Sequence, residues 1–233
     1  MTASVTTTSL SIYLITVDPN SKRARSSVRH LKRRGFSVVL VSAVTPDREP
    51  QPPSRYMSAG EKCLVATWRE LATSLQEAQG WLLVGEDDLR LFWRARPLIE
   101  QILDSDLKTA AAIQLGYECA ASWLERGSPA WNLRRRILSR DTVPSWAFRF
   151  GWSRGNHLVR EGGKLQTHLV AVNAAEFTAL IDEIEATDRP LDHALVSISK
   201  ATPGRVLHAA TSLGFQARAA SALEGTRAPI RRD

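Results

Sequence analysis

Short β-branched and aromatic runs alternate with amphipathic helical segments along most of this chain, which restricts it to the α/β class. Ser11–Val17 reads as a strand, broken by Asp18, Pro19 and Asn20. Ser21–Arg34 reads as a basic helix with Ala24, Val28 and Leu31 on one face and Gly35 as its stop. Phe36–Val41 is the next strand, so the three form a unit with a right-handed crossover. Ser58 and Glu61 have capping-box spacing, and the helix they open carries Leu64, Trp68, Leu71 and Leu75 towards Gly80. Trp81–Val84 is a compact buried strand, followed by a helix over Ala95–Leu103 and a strand over Thr109–Leu115. Later come a strand at His168–Val172 and a helix over Ala174–Ile184 with Asn173 and Glu176 as its cap pair. A turn at Thr187–Pro190, a short helix at Leu191–Ser199 and a strand at Arg205–Ala209 complete the pattern. The expectation is one domain over residues 10–218, with a mostly parallel central sheet flanked by helices. Residues 1–9 are expected to be a flexible lead-in and 219–233 a loose basic tail.

The length of 233 residues suffices for a sizeable core, and 43% apolar residues exclude a disordered chain. No apolar run reaches the roughly 20 residues of a membrane span. Cys63 and Cys119 have no metal-type spacing and no secretion signal precedes them, which points to a reducing, cytoplasmic setting, with membrane-peripheral association left open. The net charge of +7 is uneven: Asp18–Arg34 holds seven basic residues against one acidic, and Trp123–Lys164 nine against three. Such clusters fit an anionic partner, either a nucleotide, a glycolipid or a nucleic acid. A solvated basic surface is the alternative for any single run.

Trp81–Val84 runs directly into Gly85 and then Glu86, Asp87 and Asp88. Three adjacent carboxylates repel one another, and a bound divalent cation relieves that repulsion. Mg²⁺ and Mn²⁺ favour oxygen ligands and are commonly shared with phosphates. In open α/β sheets, ligands bind beyond the carboxyl ends of the strands, where this triplet lies. Strand alternation would aim Glu86 and Asp88 the same way. The alternative is a solvated acidic turn that caps a helix.

Glu86-Asp87-Asp88 after an apolar strand resembles the metal motif of glycosyltransferase family 25, which includes lipooligosaccharide and collagen galactosyltransferases. Ile12–Asp18 with Arg23 and Arg25 resembles the family's opening strand and arginine-containing turn. Ala43-Val44-Thr45, Met57–Glu61, Ile113–Gly116, Thr167–Val172 and Asp192-His193 resemble further family segments, in order, across about residues 10 to 200. Thr67 and Trp68 stand where the family shows Ser-His, and Gln166 where it shows Gly. The resemblance implies a GT-A-like fold, a UDP-sugar donor, Mn²⁺ (or Mg²⁺) and inversion at the transferred sugar. It implies Asp88, Glu86 and His193 as metal ligands. Arg23, Arg25, Glu86, Asp87 and Gln114 would then lie around the nucleotide, with Asp192 as general base and Asp88 as the second catalytic carboxylate.

Residues 117–163 lack clear periodicity and interleave aromatic with basic side chains. Trp131, Trp146 and Trp152 with Arg134, Arg135 and Arg149 form the expected acceptor-binding set. Indole faces stack on sugars and on bases, while guanidinium groups pair with phosphates. The expected acceptor is an anionic glycan or lipooligosaccharide. The alternatives are DNA with a hydroxylated base and, in another class, a non-catalytic nucleic-acid-binding protein on the same fold.

Overall fold

The computed structural model describes residues 10–117 except 50, 93, 106 and 108, residues 158–209 except 165 and 166, and residues 212–216. In chain order the elements are β1 (Ser11–Thr16), α1 (Lys22–Arg33), β2 (Ser37–Ser42), α2 (Ala59–Ser74), β3 (Trp81–Glu86), β4 (Leu89–Leu91) and α3 (Ala95–Leu103). There follow β5 (Ala112–Tyr117), β6 (Val159–Glu161), β7 (Thr167–Asn173), α4 (Phe177–Thr187), α5 (Leu191–Ala201), β8 (Val206–Ala209) and β9 (Gly214–Gln216). A 3₁₀ turn, Ala174–Glu176, leads into α4.

The described strands form one sheet in the order β2-β1-β3-β7-β5-β8-β6, with β4 and β9 paired beside it. The α/β class is as expected, but the sheet is mixed. β1 is parallel to β2 and β3, and β5 is parallel to β8, while β7 runs antiparallel between β3 and β5. The reason lies in the register: Thr167, where β7 begins, pairs with Tyr117, where β5 ends. β7 therefore starts at the edge where β5 finishes and runs back along it, which makes the pair antiparallel.

Apolar side chains fill both faces of the sheet, so the central strands read as nearly continuous apolar runs. On one face Leu82, Val84, Ala112, Val170 and Val172 meet Trp68 and Leu71 of α2, Phe177 and Leu180 of α4, and Leu195 of α5. Trp68 and Phe177 pack edge-to-face, with ring centres 5.8 Å apart. On the other face Ile12, Leu14, Leu83, Ile113 and Leu169 meet Leu31 of α1 and Ile99 of α3.

Local chemistry sets the helix ends. Ser21 accepts a 3.0 Å bond from the Ala24 amide at the start of α1. Gly35 takes φ +86° beyond its end, a conformation that costs glycine little. The expected box at α2 is present: Ser58 accepts from the Glu61 amide at 3.3 Å, and Glu61 accepts from the Ser58 amide at 2.7 Å. Asn173 caps the 3₁₀ turn by accepting from Ala175, but Glu176 instead pairs with Arg205 at 2.6 Å. Thr67, one of the departures from the family pattern, is buried and structural. Its hydroxyl accepts from the Val44 amide at 2.8 Å and donates to the Cys63 carbonyl at 2.7 Å.

Gly85 makes room for the turn after β3. A β-carbon there would stand 2.9 Å from the Leu89 side chain and 3.2 Å from the His168 carbonyl. Leu89 is fully buried, so the crowding has little room to relax. Gly85→Ala is therefore expected to cost roughly 1–3 kcal/mol in urea denaturation. An unchanged midpoint would show that β4 can shift freely against β3.

Candidate active site

Parallel strands β1, β3 and β5 end on the same edge of the sheet where antiparallel β7 begins. The loops after β1 and β2 lead there into the N-termini of α1 and α2. That edge gathers Thr16, the acidic triplet, Tyr117 and His168.

The triplet divides between two faces. β3 ends at Glu86, and Asp87 and Asp88 lie in the turn to β4, so strand alternation stops one residue into the motif. Asp87 and Asp88 turn towards α1. The Arg23 Nε lies 2.5 Å from Asp87 Oδ1, and its Nη2 lies 3.3 Å from Asp88 Oδ2. Thr16 donates from Oγ1 to Asp87 Oδ2 at 2.7 Å, and Ser27 donates from Oγ to the Asp87 carbonyl at 2.5 Å. Arg90 donates to Ser27 Oγ at 2.5 Å and to Ser26 Oγ at 2.8 Å. The Leu91 amide donates to His30 Nε2 at 3.0 Å. Besides Arg23, three side chains of α1 (Ser26, Ser27 and His30), with Thr16 at the end of β1, thus hold residues 87–91 against the helix.

Asp88 is the anomaly in this network. Its carboxylate is fully buried, and neither oxygen accepts a well-formed hydrogen bond. Burial pushes its pKa up to about 6, although Arg23 pulls the other way. At neutral pH the fold therefore carries a buried carboxylate whose charge is only partly compensated.

Glu86 lies on the opposite face. The β3–β7 register pairs Gly85 with Leu169 and, continued by one residue, sets Glu86 across from His168. His168 is 9% exposed, and burial lowers its pKa to about 4, with Asp192 acting in the other direction. The imidazole is thus neutral at physiological pH and lies within electrostatic reach of Asp192, in the first turn of α5. His168 thus stands across the strand pair from Glu86 and within the electrostatic influence of Asp192.

Other expected residues are placed differently. Gln114 is fully buried, and its side chain accepts from the Lys164 amide at 2.5 Å and donates to the Lys164 carbonyl at 2.7 Å. Arg25 lies on the exposed side of α1, away from the carboxylates that Arg23 holds. His193 is exposed, and its amide donates to Asp192 Oδ1 at 2.8 Å. Trp131, Arg134, Arg135, Trp146, Arg149 and Trp152 lie outside the described residues.

The ligand set expected for Mn²⁺ or Mg²⁺ does not assemble in this packing. Glu86 and Asp88 sit on opposite faces, and Arg23 already lies against Asp87 and Asp88. Among the described residues no group of three or more His, Cys, Asp or Glu side chains is arranged to hold a metal ion.

Thr16, Ser27 and Arg90 were not among the expected site residues, and His168 was expected only as part of the strand His168–Val172 and the family-like segment Thr167–Val172. Ser27 carried a usable signal. It falls with Ala24 and Leu31 on the inward face of α1, where a hydroxyl needs a polar partner.

No family model matches this chain, and no curated protein matches it in sequence. Among solved structures it is similar to a glycosyltransferase involved in the glycosylation of the major capsid of PBCV-1. The TM-score is 0.43 at 10% identity, over 86% of this chain and 81% of that one. It is also similar to mouse xyloside xylosyltransferase 1, with a TM-score of 0.42 at 12% identity, over 85% of this chain and 83% of that one.

Asp88 gives the site a pH signature. An acid whose pKa rises from 3.8 to about 6 on folding contributes stability while protonated, and that contribution is lost as pH rises through 6. The full gap is worth about 3 kcal/mol. Asp88→Asn removes it, so the variant should match wild type near pH 4 and gain about 2–3 kcal/mol on it by pH 7.5 in parallel urea melts. A variant equally or more destabilised at pH 7.5 would show that Arg23 fully compensates the charge.

Proposed function

We propose that this chain is a glycosyltransferase that moves a sugar from a nucleotide-sugar donor, a UDP-sugar, to a hydroxyl of an anionic glycan or lipooligosaccharide. What supports the reading is that the strand register sets Glu86 across from a neutral His168, on which Asp192 acts electrostatically, at the carboxyl edge of the parallel strands. This is where α/β sheets bind their ligands, and these are residues through which the sequence resembles family 25. Helix N-termini at the same edge favour a diphosphate.

In this reading Asp192 is the general base. It takes the proton of the acceptor hydroxyl as that oxygen bonds to the sugar C1, while the bond from C1 to the diphosphate oxygen breaks. The nucleoside diphosphate leaves with the electron pair, and a single displacement of this kind inverts the anomeric centre. A neutral His168 can donate one hydrogen bond and accept another, so it would orient a carboxylate or a sugar hydroxyl without adding charge. Glu86 across the strand pair supplies a further acceptor for sugar or ribose hydroxyls. Family 25 also implies a divalent cation, which would meet charge on the leaving diphosphate. Because the carboxylates do not assemble for one here, no step is assigned to it.

The direct test is UDP release from a panel of UDP-sugars, with lipooligosaccharide cores as acceptors and mass-spectrometric readout. Asp192→Asn should lower kcat about 10²–10⁴-fold with little change in KM, as expected for loss of a general base. Full activity in that variant would remove Asp192 from the mechanism. Absence of UDP-sugar binding by calorimetry would end the glycosyltransferase reading.

Metal removal gives a separate check. With Arg23 against Asp87 and Asp88, UDP binding measured calorimetrically should be about equal in EDTA and in Mn²⁺. A gain of tenfold or more with Mn²⁺, abolished by Asp88→Asn, would show instead that Arg23 yields its place to the cation.

A further inference from the structure

The outward face of α1 makes no use of its charge within the protein. The helix Lys22–Arg33 contains no acidic residue. Its inward side buries Ala24, Ser27 and Leu31 and sends Arg23 to the carboxylates. Lys22, Arg25, Arg29, Lys32 and Arg33 are all exposed. At 3.6 residues per turn these five positions fall within a sector of about 100° and along roughly 16 Å of helix. None of the five side chains makes an ion pair or hydrogen bond with a described residue. Three other arginines are paired, Arg69 with Asp182 and Glu185, Arg96 with Glu100, and Arg205 with Glu176 and Glu183, while Arg160 and Arg189 stand singly rather than in a row. The nearest acid in sequence, Asp18, accepts a 2.8 Å bond from the Asn20 amide.

Among the described strands β2 lies at the sheet edge, and its Leu40 is 41% exposed. Leu40 is in register with Leu14, which packs in the same cluster as Leu31 of α1, so Leu40 belongs to the sheet face that α1 covers. A row of cations without an ion pair among the described residues, with an exposed leucine beside the helix, fits one kind of surface best. Anionic headgroups meet the lysines and arginines, and the headgroup–acyl boundary takes Leu40. A nucleic-acid backbone would satisfy the cations and leave Leu40 in water.

We propose that the outward face of α1, with Leu40 at its border, docks this protein on an anionic lipid bilayer. The proposal deepens the glycosyltransferase reading, since Arg23 on the same helix touches the site and a docked α1 would bring that site to a lipid-carried acceptor. The docking itself does not depend on that reading.

Vesicle co-sedimentation of the full chain tests it, with phosphatidylcholine vesicles compared against vesicles also containing phosphatidylglycerol. The protein should pellet only with the latter, and added salt should release much of it. Each lost positive charge should weaken partitioning roughly fivefold. Arg29→Gln/Lys32→Gln, two solvent-facing changes that helices tolerate, should therefore lower it at least about tenfold while leaving UDP-sugar hydrolysis unchanged. Leu40→Ser should lower partitioning mainly at high salt, where charge attraction is screened. No partitioning, or partitioning indifferent to the double variant, would overturn the proposal. So would tighter binding of a DNA duplex than of the anionic vesicles in the same buffer, which would assign the stripe to nucleic acid. Loss of UDP-sugar activity with intact vesicle binding would count against the catalytic reading alone.

Discussion

Arg23 fixes the geometry of this molecule's functional edge. It reaches from the inward side of α1 to Asp87 and Asp88, which lie in the turn leaving β3. Thr16 joins it from the end of β1, and Ser27, Ser26 and His30 engage the following residues through Asp87, Arg90 and Leu91. Removing one partner from a buried charge group leaves the others uncompensated, and that penalty exceeds the net worth of the pair itself. The helix, two strand ends and the turn are thus bound into one unit. The same unit draws Asp87 and Asp88 towards α1, whereas the strand register sets Glu86 across from His168.

The elements themselves were legible because each has a local cause. The Ser58–Glu61 box, the cap at Asn173, the stop at Gly35 and the apolar run of Trp81–Val84 all work through neighbours in sequence. Strand direction does not. β7 is antiparallel because it starts at the edge where β5 finishes, and nothing within Thr167–Asn173 encodes that edge. The mostly parallel sheet was inferred from strand–helix alternation, which β7 breaks. β4 and β9 are three-residue strands, too short to carry a period.

The site was legible in part, for a similar reason. Placing the triplet at a strand end followed from the apolar run before it. Aiming Glu86 and Asp88 together assumed that alternation continues past Glu86, and the turn to β4 ends it there. Gln114 was expected near the nucleotide only because Ile113–Gly116 resembles a family 25 segment. Full burial gives such a residue another use, and its two bonds to the Lys164 backbone pin the segment entering β7. A polar residue in a buried strand signals a polar partner, but sequence does not say whether the partner is a ligand or the chain's own backbone.

α1 shows how one local composition can serve two purposes that only packing separates. Its seven basic residues from Lys22 to Arg34 look alike in sequence. Inside the fold, Arg23 compensates buried carboxylates, where losing it would expose an orphaned charge. Outside, Lys22, Arg25, Arg29, Lys32 and Arg33 repel one another and face water. Like charges at helical spacing of three and four weaken an isolated helix slightly, and here no acidic residue within the helix offsets that. α1 therefore relies on Leu31, its Ser21 cap and the Arg23 link for its stability. An anionic surface laid against its outer side would remove the repulsion without disturbing the inner contacts, so docking and the ordering of the functional edge would reinforce each other.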